Sequence, residues 1–248
     1  MSKKYFEGET KSQRRARKER EKLSKKASLV KSPVIKTVLP TPVVVTNVEV
    51  NLKNSAFVLG NGTSRAPISP VDLKPYGTIY GCNALYREFR PDHLIAVDTK
   101  MIKEITSTGY HLENRVWTNP NRYSREIPKI NLFNPNLGWS SGPSALNLAS
   151  EHNYEIIYIL GFDYEGVGKN HELVNNVYSG TVNYKNINDR ATYYGNWTRQ
   201  TSTCIKKYPR IKYIRVIKDQ SSFVPDVLIG LPNLTHVTVE KFMKNFNL

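Results

Sequence analysis

Cysteine is scarce: Cys82 and Cys204 are the chain's two, too few for a disulfide scaffold, and two thiols alone do not make a zinc site. No apolar run approaches the roughly 18 residues of a membrane span. The N-terminus is basic but lacks the apolar stretch of a signal peptide, so the expected compartment is the cytoplasm. No Gly-Lys-Ser/Thr ending marks a P-loop, and no G-x-G-x-x-G marks a dinucleotide fold. D-x-D is missing and no two histidines have metal-ligand spacing. Asp98 and Asp163 are the carboxylates that could meet a divalent ion, but nothing else supports one, and no metal is expected.

Acid is also in short supply. The chain has 21 Asp and Glu against 36 Lys and Arg, a formal charge of +15. The imbalance is local. Residues 1–36 hold thirteen Lys/Arg and four Glu, a net +9, which leaves 23 Lys/Arg against 17 Asp/Glu, or +6, for the rest. Residues 10–26 have almost no apolar content and read as a solvated arm or helix without a core. Basic residues without interleaved aromatics favour contact with a phosphate backbone over base stacking. A nucleic acid or an acidic protein surface would suit residues 3–36, and so would a merely solubilising role. Residues 37–53, with Pro40 and Pro42 in a β-branched run, read as a linker or edge strand. With 39% hydrophobic residues and a mean hydropathy of -0.48, the chain is wetter than a compact enzyme, which agrees with a tail outside the core.

Residues 54–248 read as one α/β domain, a doubly wound and mostly parallel sheet of Rossmann-like type. Strands are predicted at Ala56–Gly60, Thr78–Gly81, His93–Val97, Arg115–Thr118, Ile156–Leu160 and Lys212–Val216. The continuously apolar Ile156–Leu160 is predicted to be central. Helices are predicted at Thr99–Thr106, capped by Asp98, from Ser140 or Ser141 to about His152, and over Thr192–Lys207. A last strand and helix run from Thr235 to Phe246. Two irregular stretches remain: a Pro- and Asn-rich loop from Asn119 to Gly138, and a polar loop over 165–190 of a length usually functional or mobile.

Short polar groups gather at the predicted carboxyl ends of strands, where open α/β sheets bind ligands. Gly60-Asn61-Gly62-Thr63-Ser64-Arg65 follows the first strand, Asn83 the second, Asp98 the third, and Asp163-Tyr164 the central one. Gly60 and Gly62 admit backbone angles that other residues resist. Ser140-Ser141-Gly142 puts hydroxyls at a helix N-terminus, which favours an anion. Together these read as a pocket for a phosphorylated ligand. Each also has a plainer reading, as a tight connection, a turn residue or a helix cap. His171, in the polar loop, is the one histidine expected near the strand ends, and His93, His111, His152 and His236 read as structural or surface residues.

These blocks resemble the bacterial sialyltransferase group that makes lipooligosaccharide, with the related motility-accessory and pterin-pyrophosphokinase-like proteins. Leu59-Gly60-Asn61-Gly62-Thr63-Ser64 is similar to that group's G-N-G-P-S turn, with Thr63 in place of proline. Tyr80-Gly81-Cys82-Asn83 is similar to its C-N block. Ser140-Ser141-Gly142 with its helix, and Glu155 to Tyr164, are similar to its Ser/Thr-Gly helix and the strand ending I-D-F-Y. The likeness runs from about Ala56 to Leu234 and extends to proteins of tailed phages, for which a host cytoplasm or a virion is the expected place.

The resemblance implies sugar transfer from a CMP-sugar donor to an acceptor hydroxyl, on a glycan or other molecule, by direct inversion and with no obligatory cofactor. Asn61 and Ser64 would hold the donor phosphate, Asn83 the ribose or base, Ser141 and Gly142 would orient the donor, and Tyr164 would stabilise the leaving phosphate. The group's general-base histidine falls about where this chain has Asn196, which cannot act as a base at neutral pH. His171 or Asp163 would then supply the base, or the protein would bind a nucleotide without transferring a sugar, as a module recruited through its basic tail. A pyrophosphokinase-like role is a third expectation.

Overall fold

The computed structural model describes residues 54–248, so the expectations for residues 1–36 and 37–53 lie outside the described residues. Eight strands form one sheet: β1 (Ser55–Leu59), β2 (Thr78–Cys82), β3 (His93–Ile95), β4 (Val116–Thr118), β5 (Asn131–Leu132), β6 (Ile156–Leu160), β7 (Lys212–Ile217) and β8 (Leu234–Thr238). Their order is β5-β4-β3-β2-β1-β6-β7-β8, and every pairing is parallel. The chain winds outward from β1 in one direction, then returns to place β6 on the other side of β1. That reversal makes the β1/β6 seam the switch point at which open α/β sheets leave a crevice.

Period-two alternation along the strands supplies two cores. Ala56 and Val58 of β1 face one side, with Ile157 and Ile159 of β6. They pack there against α2 (Ser141–Glu151) through Ala145, Leu146, Leu148 and Ala149, and against α3 (Gly195–Lys207) through Cys204 and Ile205. Phe57, Leu59, Tyr158 and Leu160 face the opposite side and meet Phe242 and Phe246 of α4 (Val239–Phe246). Fully burying each such side chain contributes about 1.5–3 kcal/mol. The Phe57 and Tyr158 rings stack at 5.1 Å, with the Phe242 and Phe246 edges against them. The helix α1 (Thr99–Ser107) covers β3 and β4, with Met101, Ile102 and Ile105 inward.

Helix starts differ from expectation in an informative way. Asp98 stands at the N-cap of α1, yet its side chain makes no capping hydrogen bond. Ser140 likewise precedes α2 without capping it. By contrast, the Thr238 hydroxyl accepts from Lys241 N and starts α4 in the ordinary way. Helix α3 begins at Gly195, three residues after the predicted Thr192. The predicted 119–138 loop contains a helical turn, Arg122–Arg125, closed by a reciprocal Asn121–Ser124 capping box, and the two-residue β5. Among the described residues no helix is long and apolar enough to cross a membrane.

Candidate functional site

A cleft of about 260 Å³ opens over the carboxyl ends of β1, β2, β3 and β6. Gly60, Asn61 and Gly62 line it after β1, Cys82 and Asn83 at β2, Val97 and Asp98 after β3, and Gly161 to Glu165 after β6. Ser140, Ser141, Gly142 and Pro143 line it from the start of α2. The irregular stretch after β6 closes the remaining side through Val174, Asn175, Asn176 and Thr192, with Tyr194 and Trp197 following at the start of α3. The sequence motifs at four strand ends therefore converge on one cavity.

The glycine turn is held by the protein itself. Gly60 N donates to Leu160 O at 2.8 Å and Gly62 N to Gly161 O at 2.9 Å, which ties the turn to β6. Thr63 N and its hydroxyl both donate to Asn175 Oδ1, at 2.8 and 2.7 Å. The Asp163 carboxylate accepts from Ser64 N at 3.0 Å and from the Ser64 hydroxyl. With these N–H groups already paired, the turn is not an open phosphate cradle. The expected freedom of backbone angle is also not what Gly60 and Gly62 supply. Gly62 has φ -64 and ψ 148, an extended conformation open to any residue. The two are glycines because of close approach: a Cβ on Gly60 would lie 2.6 Å from Gly161 O, and one on Gly62 2.5 Å from the Asp163 carboxylate.

Arg65 departs from its expected role as a ligand residue. Its guanidinium is buried and turned away from the cleft, donating to Gly60 O at 2.7 Å, to the Tyr178 hydroxyl at 2.8 Å and to Glu88 at 3.3 Å. Asn61 lines the cleft, but its amide nitrogen donates to the Tyr184 hydroxyl at 3.1 Å, leaving Oδ1 buried without a partner. Tyr178 and Tyr184 both belong to the stretch predicted as an irregular loop. Val177 N donates to Asn61 O at 2.8 Å in the same region, so this stretch folds back onto the turn.

Free donors lie on the opposite wall. Asn83 has φ 54, a left-handed conformation that asparagine tolerates. Its Oδ1 accepts from the Ser141 hydroxyl at 2.9 Å, and that hydroxyl accepts in turn from Val97 N at 3.1 Å. This chain of bonds fixes the Asn83 side chain, and among the described residues its amide nitrogen has no acceptor. Ser140 N donates to Gln200 Oε1 at 3.1 Å, and the first N–H groups of α2, at Ser141 and Gly142, have no side-chain cap. They are orphan donors at the positive end of a helix dipole.

The remaining expected residues have other surroundings. Tyr164 lines the cleft, but its buried hydroxyl donates to Thr201 Oγ1 at 2.7 Å and its ring lies against the Arg215 guanidinium at 5.1 Å. Burial raises its pKa further above the ordinary phenol range. Burial also pushes the Cys82 thiol up to about 12, so it is protonated and unreactive at neutral pH. Asn196 is exposed, lines neither this cleft nor the neighbouring cavity, and takes a hydrogen bond from Arg199. His171 lies outside the cleft and lines the neighbouring cavity of about 250 Å³, which Asp163, Glu165 and Asn175 also border.

Among the described residues no lysine, arginine or histidine lines the cleft, whereas Asp98, Asp163 and Glu165 do. Among the described residues no three His, Cys, Asp or Glu side chains gather to hold a metal. Asp163 is the hinge of this arrangement, since it binds Ser64 and fills the space opposite Gly62. Asp163→Ala is expected to cost about 2 kcal/mol, the usual worth of hydrogen bonds to a charged group. Thermal unfolding would then move down by about 4–8 °C. An unchanged melting temperature would assign the hold on the turn to the Gly60–Leu160 and Gly62–Gly161 bonds instead.

Glu165, Asn175, Tyr194 and Trp197 are among the cleft residues the sequence left unmarked. Their signal was an aromatic pair at a predicted helix start and an asparagine-rich stretch, neither of which says what it faces. Compared with protein-family models, curated proteins and solved structures, the chain matches none.

Proposed function

We propose that the cleft binds a nucleotide sugar of the CMP type and that the protein transfers its sugar to an acceptor hydroxyl. The observation that carries this reading is the pairing of the uncapped start of α2, at Ser141 and Gly142, with the spare amide of Asn83 beside the β1/β6 switch point. Backbone N–H groups, a helix dipole and a neutral amide attract an anion without any cationic side chain. The carboxylates of Asp98 and Glu165 on the same walls disfavour a second phosphate, which supports a monophosphate donor over a diphosphate one. Phe162, Tyr194 and Trp197 offer apolar faces for a base or sugar ring. The sialyltransferase resemblance supports the same donor class.

A second reading, donor binding without transfer, has its own support: no histidine lines the cleft, and Asn196 is turned to Arg199. Release of CMP from a CMP-sugar separates the two readings.

The binding claim is tested by thermal shift with CMP, a CMP-sugar, CDP, UDP and GDP at millimolar concentration. At a hundred times its Kd a ligand adds about 2.7 kcal/mol, or roughly 5–10 °C for a domain of this size. CMP and the CMP-sugar are expected to give the largest shifts. Asn83→Asp keeps Oδ1 for Ser141 and tolerates the same φ, but puts a carboxylate where the amide faced the phosphate. It is expected to weaken CMP binding at least tenfold. A flat response to all five compounds would sink the reading.

A further inference from the structure

We propose that the cavity beside the cleft is the acceptor pocket, and that His171, held by Glu165, is the base that takes the proton from the acceptor hydroxyl; this rests on the nucleotide-sugar reading above. The two cavities share Asp163, Glu165 and Asn175, so they adjoin. The second one is rimmed by hydroxyls and charges of both signs, among them Thr63, Ser222, Lys218 and Asp219. Such a lining suits a polyhydroxylated molecule and offers little to an apolar one.

Four carboxylates and one imidazole compete for the role of base, and of these Asp219 is occupied by the Ser221 N–H and hydroxyl. Asp163 is occupied by the Ser64 N–H and hydroxyl. Asp98 lines the cleft but not the second cavity. Glu165 accepts from Phe223 N at 3.1 Å through Oε1, and its Oε2 lies 3.2 Å from His171 Nδ1. The same ring nitrogen lies 3.3 Å from Gly166 O. Both neighbours of Nδ1 are acceptors, so Nδ1 carries the proton and Nε2 carries the lone pair. This is the carboxylate–imidazole arrangement that holds a general base in one tautomer and steadies the imidazolium it becomes. The His171 side chain is 63% exposed, which leaves Nε2 open to a partner from solution. The backbone fixes its direction: His171 has φ 57 and its N–H donates to Gly168 O at 3.3 Å.

In the transfer step, Nε2 takes the hydroxyl proton while the hydroxyl oxygen forms a bond to the anomeric carbon of the donor sugar. The bond from that carbon to the phosphate oxygen breaks, and its electron pair leaves with the nucleoside monophosphate. The imidazolium then returns its proton to water. His171 is the catalytic residue in this scheme, and Glu165, which touches the imidazole, is a positioning residue.

The test uses the full-length protein with CMP-N-acetylneuraminate as donor probe, measuring donor affinity by calorimetry and CMP release with water or lactose as acceptor. His171→Asn suits the positive φ and still offers an N–H to Glu165, so it removes the base with little change elsewhere. It is expected to bind the donor within twofold of the unaltered protein, melt at the same temperature, and release CMP 100- to 10,000-fold more slowly. Glu165→Gln is expected to lower kcat without raising the donor KM, a split that a merely structural role would not produce. If the unaltered protein binds the donor and His171→Asn releases CMP within threefold of its rate, the assignment of His171 is overturned while the nucleotide-sugar reading stands. Donor binding with no CMP release under either condition overturns it equally. Failure of the unaltered protein to bind the donor overturns the nucleotide-sugar reading itself, and this assignment with it.

Discussion

Between pH 6.5 and pH 4 the protein is expected to lose about 3–5 kcal/mol of folding stability, chiefly because buried His93 and His236 stay neutral in the folded state. Burial first, and then His152 and Arg115 nearby, lower His93 from 6.5 to about 4; Lys74 adds to this and Asp92 opposes it. Its ring stacks on Tyr80 at 4.7 Å, and its Nδ1 accepts from the Trp117 indole N–H at 3.2 Å, which fixes the neutral form. Burial and then Arg215 lower His236 to about 4 as well. His236 lies opposite Arg215 in the β7–β8 pairing, and its Nδ1 is buried without a partner. The sign follows from linkage. Above pH 6.5 both states are neutral and nothing is lost. Between 6.5 and 4 the unfolded chain binds protons that the folded one refuses, so stability falls as pH falls. Below 4 both states are protonated and this loss stops growing. At 1.36 kcal/mol per pH unit, each histidine would contribute about 3 kcal/mol, less at His93, where exposed His152 lets solvent screen the cluster. Glu104, held low first by Arg87, loses its contribution only at lower pH. Urea unfolding from pH 7 to 4.5 should show the decline, and His236→Leu should remove about half of it. A stability constant over that range would refute the account. The loss is about a fifth or more of an ordinary domain's total.

Gly161→Ala is expected to cost about 2–5 kcal/mol and to abolish ligand binding in the cleft. Gly161 has φ 67, and a Cβ there would lie 2.9 Å from Gly60 O, 3.0 Å from Gly60 C and 3.2 Å from Arg65 Cδ. The left-handed backbone accounts for about 1–2 kcal/mol, and forcing apart two hydrogen-bonded connections adds roughly 1–3 kcal/mol. Gly60→Ala should behave similarly from the facing side, since its Cβ would strike Gly161 O and the Phe162 ring. Gly138 provides the control. It has φ 64 with nothing within 4 Å of an added Cβ, so Gly138→Ala isolates the conformational cost. Denaturant midpoints of the three variants decide the matter. Should Gly161→Ala cost no more than Gly138→Ala, the steric part of the argument is wrong.

What could be read from the sequence follows from how local each cause is. The apolar run Ile156–Leu160 specifies a strand buried on both faces, and it sits next to β1 in the middle of the sheet. Ser141 starts a helix because small residues, Ser141-Gly142-Pro143-Ser144, lead into an apolar stripe. The strand-end polar groups converge because a parallel sheet points all its carboxyl ends one way. Other features have no local cause. Two-residue β5 is too short for any periodicity to register. Arg65 reads as an exposed cation until Tyr178, more than a hundred residues later, gives it a buried partner. Asp98 and Ser140 have cap chemistry at cap positions, yet neither side chain caps. Gly60 and Gly62 look like conformational glycines, because the atoms that exclude a Cβ belong to Gly161, Phe162 and Asp163, about a hundred residues further along the chain.

The switch point has a kinetic meaning as well as a chemical one. β2, β3, β4 and β5 each pair with the strand before them, and β7 and β8 do the same from β6. The exception is β1 with β6, where Ser55 meets Ile156 about a hundred residues further along the chain. Closing that span carries the largest loop entropy in the sheet, and distant pairings of this kind slow folding. The two halves of the sheet can assemble from near neighbours, but the seam between them cannot. Gly60, Gly161 and the cleft above them therefore come into being only when the most distant parts of the chain have found each other.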